Sequence, residues 1–204
     1  MTRRALIADR VRESIAVKEL LLADDDALRT LARIAEVLVL CYRNGGKMII
    51  FGNGGSAADA QHIAAELLGG FTVKARPALP ATAITVNTSA LTAIGNDYDF
   101  TDVFARQIEA EGRAGDVAIA ISTSGRSPNV LAGLAMARKR GLVTVALTGR
   151  KGGRLPGAAD YCLRIPSDDT PRIQECHILV GHILCELIEQ ALFGTAVPEV
   201  SNGK

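Results

Sequence analysis

Five short apolar runs alternate with polar loops and helical segments along most of this chain: KMIIFG, ATAITVN, GDVAIAISTSG, LVTVALTG and YCLRIP. They are rich in Val, Ile and Ala and leave neither face polar, the pattern of parallel strands covered on both sides. The alternation predicts an α/β fold, a doubly wound, flavodoxin-like parallel sheet of five strands. Ligands of such sheets sit beyond the carboxyl ends of the strands, near the topological switch point. Four polar loops fall on that edge: Asn53–Ser56, Asn87–Ser89, Ser122–Ser127 and Thr148–Gly153.

Helical spacing and end signals supply the rest. Before the first strand, LIADRVRESIAVKELLL and DDDALRTLARIAEVLVLCYRNGG read as two helices, the second with an acidic start and a glycine stop. A helix from about Ser56 to Leu68 follows the first strand and stops at Gly69 and Gly70. SALTAIGN and FTDVFARQIEAEG read as two further helices. SPNVLAGLAMARKRG opens with Ser127 as N-cap and Pro128 at the first helical position. The last helix, TPRIQECHILVGHILCELIEQALFG, reads the same way from Thr170 and Pro171.

The chain's 204 residues suit one domain over 1–204, with a helical pair at 1–45 and an α/β core at 46–195. A net charge of +1 gives no global field for nucleic acid or an anionic membrane, so neither is expected as a partner. The charged, amphipathic start MTRRALIADRVRES lacks the apolar centre of a signal peptide, and no uncharged run approaches the ~18 residues of a membrane span. Cys41, Cys162, Cys176 and Cys185 form no CxxC pair and have apolar neighbours, which points to reduced core thiols and a cytoplasmic protein.

Two loops read as ligand loops. In GNGGS, Gly54 and Gly55 permit positive φ and close approach of the main chain, ahead of the free N–H groups of a helix start. The motif is neither a Walker A nor a G-x-G-x-x-G sequence, and a tight turn without a ligand stays open. ISTSGRSPN places Ser122, Thr123, Ser124 and Ser127 within six residues, around Gly125 and at a helix N-terminus. Four hydroxyls exceed what capping needs, and the combination is a phosphate cradle that requires no lysine.

His62 and Glu66 share a helix face at i and i+4. The pair suits a divalent metal, an acid/base couple or a merely solvated contact. All three histidines of the chain lie in two helices, the others being His177 and His182 in the last. Gln174 and His182 are eight residues apart, about 12 Å along a helix axis, so they meet one ion only by reaching inward or through different subunits.

GNGGSAADAQHIAAEL, AIGND, AISTSGRSPNVL, ALTG with its following glycine pair, and RIQECHILVGHILCELIE together give the chain a resemblance to the phosphoheptose isomerases of the SIS, or sugar isomerase, superfamily. The resemblance covers nearly the whole chain and implies a single SIS domain. It implies substrate contacts at Asn53, Gly54, Gly55, Glu66, Asn96, Asp97, Ser122, Thr123, Ser124, Ser127 and Gln174. Metal ligands fall on His62, Glu66, Gln174 and His182, for one Zn²⁺ per subunit. The acid/base pair falls on Glu66 and His182. A homotetramer with sites near subunit interfaces is implied as well. Pro171 takes a place where relatives can carry a polar residue.

The implied reaction interconverts sedoheptulose 7-phosphate and D-glycero-D-manno-heptose 7-phosphate through an enediol, in nucleotide-activated heptose biosynthesis. It needs a base that returns its proton and a means of stabilising the enediolate. Glu66 fits the base and His182 its partner. The alternatives are a non-catalytic SIS domain, sensing sugar phosphates or binding a replication initiator, and an isomerase of another sugar phosphate. A retained carboxylate at Glu66 argues for catalysis.

Overall fold

The computed structural model describes residues 2–194; the end of the expected α/β core, at residue 195, and the tail to residue 204 lie outside the described residues. Two helices lead in, α1 (Arg3–Leu22) and α2 (Asp25–Arg43). Asp24 caps α2 by accepting from the Ala27 amide at 3.0 Å, and Asp25 and Asp26 add favourable charge in its first turn.

The strands are β1 (Met48–Gly52), β2 (Ala81–Ala83), β3 (Val117–Ser122), β4 (Val143–Thr148) and β5 (Tyr161–Arg164). They form one five-stranded sheet in the order β2-β1-β3-β4-β5, every pairing parallel. All residues of β1 and β3 are buried. Strand alternation divides them between two cores. Met48, Ile50, Ile119 and Ile121 face α2, α3 (Gly55–Gly69) and α7 (Thr170–Phe193). Ile49, Phe51, Ala118 and Ala120 face α5 (Val103–Glu111) and α6 (Pro128–Lys139). The expected sheet and its two covering layers are therefore present. The order reverses direction between β1 and β3, so the loops after those two strands flank the switch point.

Boundaries move by a residue in places. α3 starts at Gly55 and ends at Gly69, with Gly70 beyond it at φ 95°. SALTAIGN becomes α4 (Thr88–Asp97), and FTD forms a 3-10 turn ahead of α5. The N-cap of α7 is Asp169, not Thr170: the extended residue is Asp169, at φ −87° and ψ 116°, and Thr170 is already helical.

α7 is apolar and long enough, by composition, to cross a membrane. In the fold it contacts α2 and α3 and buries Ile173, Cys176, Val180, Leu184, Cys185 and Ile188 in the first core. The four cysteines are free thiols. Burial pushes Cys41 and Cys162 up to about 11 and Cys185 up to about 12, so they behave as apolar filling.

Candidate functional site

The switch point carries a built cavity of about 220 Å³, lined by Asn53, Ser56, Ile121, Ser122, Thr123, Ser124, Ser127, Thr170 and Gln174. The glycine loop forms one wall. Gly54 takes φ 57° at the N-cap of α3, a left-handed conformation that β-carbons resist. Gly55 makes room for a neighbour: the Gln174 side-chain amide lies across it, and a Cβ there would meet that amide unless it turned away. Gln174 thus reaches from the first turns of α7 to the N-terminus of α3.

The hydroxyl loop forms the other wall. Ser122 Oγ accepts from the Gly125 amide at 3.2 Å and lies 3.3 Å from Ser127 Oγ. Ser124 Oγ accepts from the Arg126 amide at 3.3 Å. Ser127 is the N-cap of α6, as expected, but its side chain makes no capping bond to the helix. It turns toward Ser122 instead, and within the first turn of α6 the Val130 amide donates to Asn129 Oδ1 at 2.9 Å. Gly125, at φ 62°, packs so tightly on the main chain of Gly152 and Gly153 that a Cβ at either Gly125 or Gly153 would overlap it.

The two walls are tied together by Asn129, which the sequence reading passed over. Asn53 Nδ2 donates to Asn129 Oδ1 and Asn129 Nδ2 donates to Asn53 Oδ1, both at 2.9 Å. Two amides pair this way only edge to edge in nearly one plane, so the loop after β1 and the start of α6 have a fixed spacing. The available signal was an amide directly behind the SP helix start. Thr170 and Ser56 also line the cavity without having been singled out.

A second cluster lies further along α3 and α7. His62 Nε2 is 3.2 Å from Glu66 Oε1 and 3.1 Å from His182 Nε2. Ligand atoms of all three residues lie within 4.8 Å of one another. The Phe71 ring stacks on His182 with centroids 5.3 Å apart and planes 15° from parallel. Gly181 lets the helices approach, since a Cβ there would overlap Ile63. One turn before His62, burial pushes the Asp59 carboxyl up, opposed by the charge of His62, and Asp59 Oδ2 has no partner.

The donor set fits a metal. Two imidazole nitrogens and a carboxylate oxygen are zinc ligands, and tetrahedral bonds of ~2.0–2.2 Å separate neighbouring ligand atoms by roughly 3.4 Å. The two short separations in the trio are close to that edge. Gln174 stands apart from the trio in this arrangement, with its amide against Gly55.

The remaining residues fall elsewhere. Asn96 and Asp97 are exposed at the end of α4 and hydrogen-bond to each other at 2.8 Å, outside the cavity lining. His177 is fully buried, and among the described residues neither ring nitrogen has a hydrogen-bond partner. Burial pushes it down to about 4, against a weaker opposing pull from the Thr148 main chain. It is a neutral core histidine and takes no part in the trio.

The chain and its fold have known relatives. The SIS domain family matches residues 16–149. The phosphoheptose isomerase of Aneurinibacillus thermoaerophilus is 49% identical over 187 residues, covering 92% of this chain and 94% of its own. The structure of phosphoheptose isomerase from Neisseria gonorrhoeae aligns with a TM-score of 0.87 at 44% identity, over 93% of this chain and all of that one. A phosphoheptose isomerase from Francisella tularensis aligns with a TM-score of 0.89 at 38% identity, over 93% and 100% of the two chains.

Proposed function

Because the chain belongs to the SIS domain family, and within it to the phosphoheptose isomerases, we propose that it is the isomerase that interconverts sedoheptulose 7-phosphate and D-glycero-D-manno-heptose 7-phosphate in the making of nucleotide-activated heptose. The observation that carries the reading is the division of the site into two parts. A hydroxyl-lined cavity ends at Gln174, and a His/Glu/His trio sits about two turns further on, since eight residues of helix rise about 12 Å. A heptose 7-phosphate carries its anion at one end and its reacting carbons, C1 and C2, at the other.

The phosphate is held by Ser122, Thr123, Ser124 and Ser127, at the N-terminus of α6. Asn53, Gly54, Gly55 and Gln174 line the sugar chain, and Asn96 and Asp97 contribute to substrate binding as well, in keeping with a site near a subunit interface. Glu66 removes the proton from one carbon and returns it to the neighbouring one. His182 exchanges protons with the substrate oxygens and opens the sugar ring. General acid–base catalysis of this kind contributes roughly 10²–10⁴-fold.

One Zn²⁺ per subunit is held by His62, Glu66 and His182, with Gln174 as fourth ligand when its amide turns from Gly55 toward the trio. When bound, the ion supplies Lewis-acid polarisation of the substrate carbonyl.

The chain acts as a single domain in the cytoplasm and assembles as a homotetramer. In support of assembly, α1 buries only Leu21 and exposes Ile7 (65%), Val11 (54%), Ile15 (50%) and Leu22 (71%). At ~100° per residue these four fall within one arc of roughly 80°, an apolar stripe suited to another subunit. Light scattering on the purified protein reports the assembly. Incubation with sedoheptulose 7-phosphate, with and without chelator, tests the activity: wild type forms the aldose phosphate and Glu66→Gln does not.

A further inference from the structure

Glu189 is fully buried on α7, between Ile188 and Gln190. Its carboxylate accepts five hydrogen bonds, all from the segment that follows α3. Oε1 accepts from the Phe71 amide at 2.8 Å and from Arg76 Nε at 2.5 Å. Oε2 accepts from the Thr72 amide at 2.8 Å, the Thr72 hydroxyl at 2.6 Å and the Val73 amide at 3.0 Å. The Arg76 side chain is as deeply buried, at 1% exposure. Its NH1 donates to the Pro77 carbonyl at 2.8 Å and its NH2 to the Glu66 carbonyl at 2.9 Å.

Two of these bonds end on the trio's own supports. Phe71, whose amide Glu189 holds, is the ring stacked on His182. Arg76 holds the main chain of Glu66 itself, at a carbonyl that also accepts from the Gly70 amide at 3.0 Å. Glu189 and His182 are seven residues apart on α7, hence on one face of that helix, two turns from each other. A single buried ion pair therefore joins the helix that carries His182 to the last turn of the helix that carries Glu66.

We propose that Glu189 and Arg76 are positioning residues of the isomerase: they clamp residues 70–76 so that the Phe71 ring sets the plane of His182 and the Glu66 carboxylate is held in reach of it. This rests on the role given to Glu66 and His182 above. A buried ion pair that only supports the fold would cost stability when altered and leave turnover in the folded protein unchanged. A positioning clamp alters kcat and metal affinity while the KM set by the distant phosphate loop is kept.

The test compares Glu189→Gln, Arg76→Lys and Phe71→Leu with wild type, using steady-state kinetics and titration of the metal-free proteins with Zn²⁺ alone against a competing chromophoric chelator. Partners behind metal ligands typically govern 10–100-fold in affinity or activity. Glu189→Gln and Phe71→Leu are expected to lower kcat and Zn²⁺ affinity by at least tenfold each, with KM within twofold; Arg76→Lys is expected to lie between them and wild type. Phe71→Leu leaves the ion pair intact, so it decides the matter if Glu189→Gln does not fold. Folded Phe71→Leu and Glu189→Gln with wild-type kcat and Zn²⁺ affinity would overturn the clamp. The isomerase reading fails separately, through a wild type that does not turn over sedoheptulose 7-phosphate, and the Zn²⁺ titration still tests the clamp in that case.

Discussion

The Ser122–Ser127 hydroxyl loop and the His62–Glu66–His182 trio are built in opposite ways. Ser122 to Ser127 are neighbours in the chain, and most of the loop's contacts are local: Ser122 with Gly125 and Ser127, Ser124 with Arg126. The trio joins residues 120 positions apart and exists only because α3 and α7 pack side by side. A contiguous loop can cradle an anion through geometry that its own turn dictates. Proton transfer between two carbons needs groups placed from separate elements, and so depends on the packing between them.

The largest effect expected from the contrast is on the metal. His182→Ala is expected to take bound zinc from one per subunit to none, whereas His177→Ala keeps it; metal analysis after dialysis reads both. A variant of His182 that retained stoichiometric zinc would dissolve the trio as a metal group. Glu66→Gln comes next, with a loss of roughly 10²–10⁴ in kcat and near-normal binding of the sugar phosphate. Turnover close to wild type by this variant would remove Glu66 as the base.

The same contrast governs what could be read from the sequence. Strand alternation, the glycine stops and the SP helix start are local signals, and the sheet, the α6 N-cap and the hydroxyl loop follow from them. His62 with Glu66 was legible as an i, i+4 pair, but its meeting with His182 rested on resemblance. The Asn53–Asn129 pair, the Gln174 amide over Gly55 and the Glu189 clamp each join distant segments, and no period marks them. Glu189 itself is not distinguished in the sequence, since Glu186 and Gln190 stand beside it in the last helix. The α7 N-cap moved from Thr170 to Asp169 because two polar residues in succession offer equal local signals and only the backbone chooses.

On the loop side, alanine at both Ser122 and Ser124 is expected to weaken phosphorylated sugars by about 3–6 kcal/mol, two hydrogen bonds to a charged group at about 1.5–3 each. Non-phosphorylated sugars should change little, by calorimetric titration. Equal losses for both ligand types would move the phosphate to the glycine loop.

His177 belongs to neither region and provides a smaller, pH-dependent test. Its pKa falls from 6.5 to about 4 on folding, chiefly through burial. The unfolded chain therefore binds the proton more readily. The neutral ring's contribution is fully present above pH 6.5 and is lost as pH falls toward about 4. The difference is worth about 3 kcal/mol by linkage. Denaturant midpoints measured from pH 7 to 4 should fall more steeply for wild type than for His177→Phe. Parallel curves would mean that His177 is solvated or partnered in solution.

One heptose phosphate held by both regions at once would be isomerised between them. The direct measurement is NMR of the purified wild-type protein, supplied with Zn²⁺, during incubation with sedoheptulose 7-phosphate. D-glycero-D-manno-heptose 7-phosphate is expected to accumulate to a constant ratio, reached from either sugar. Binding of sedoheptulose 7-phosphate with no aldose formed would contradict it, and would leave a sugar-phosphate sensor in the place of an enzyme.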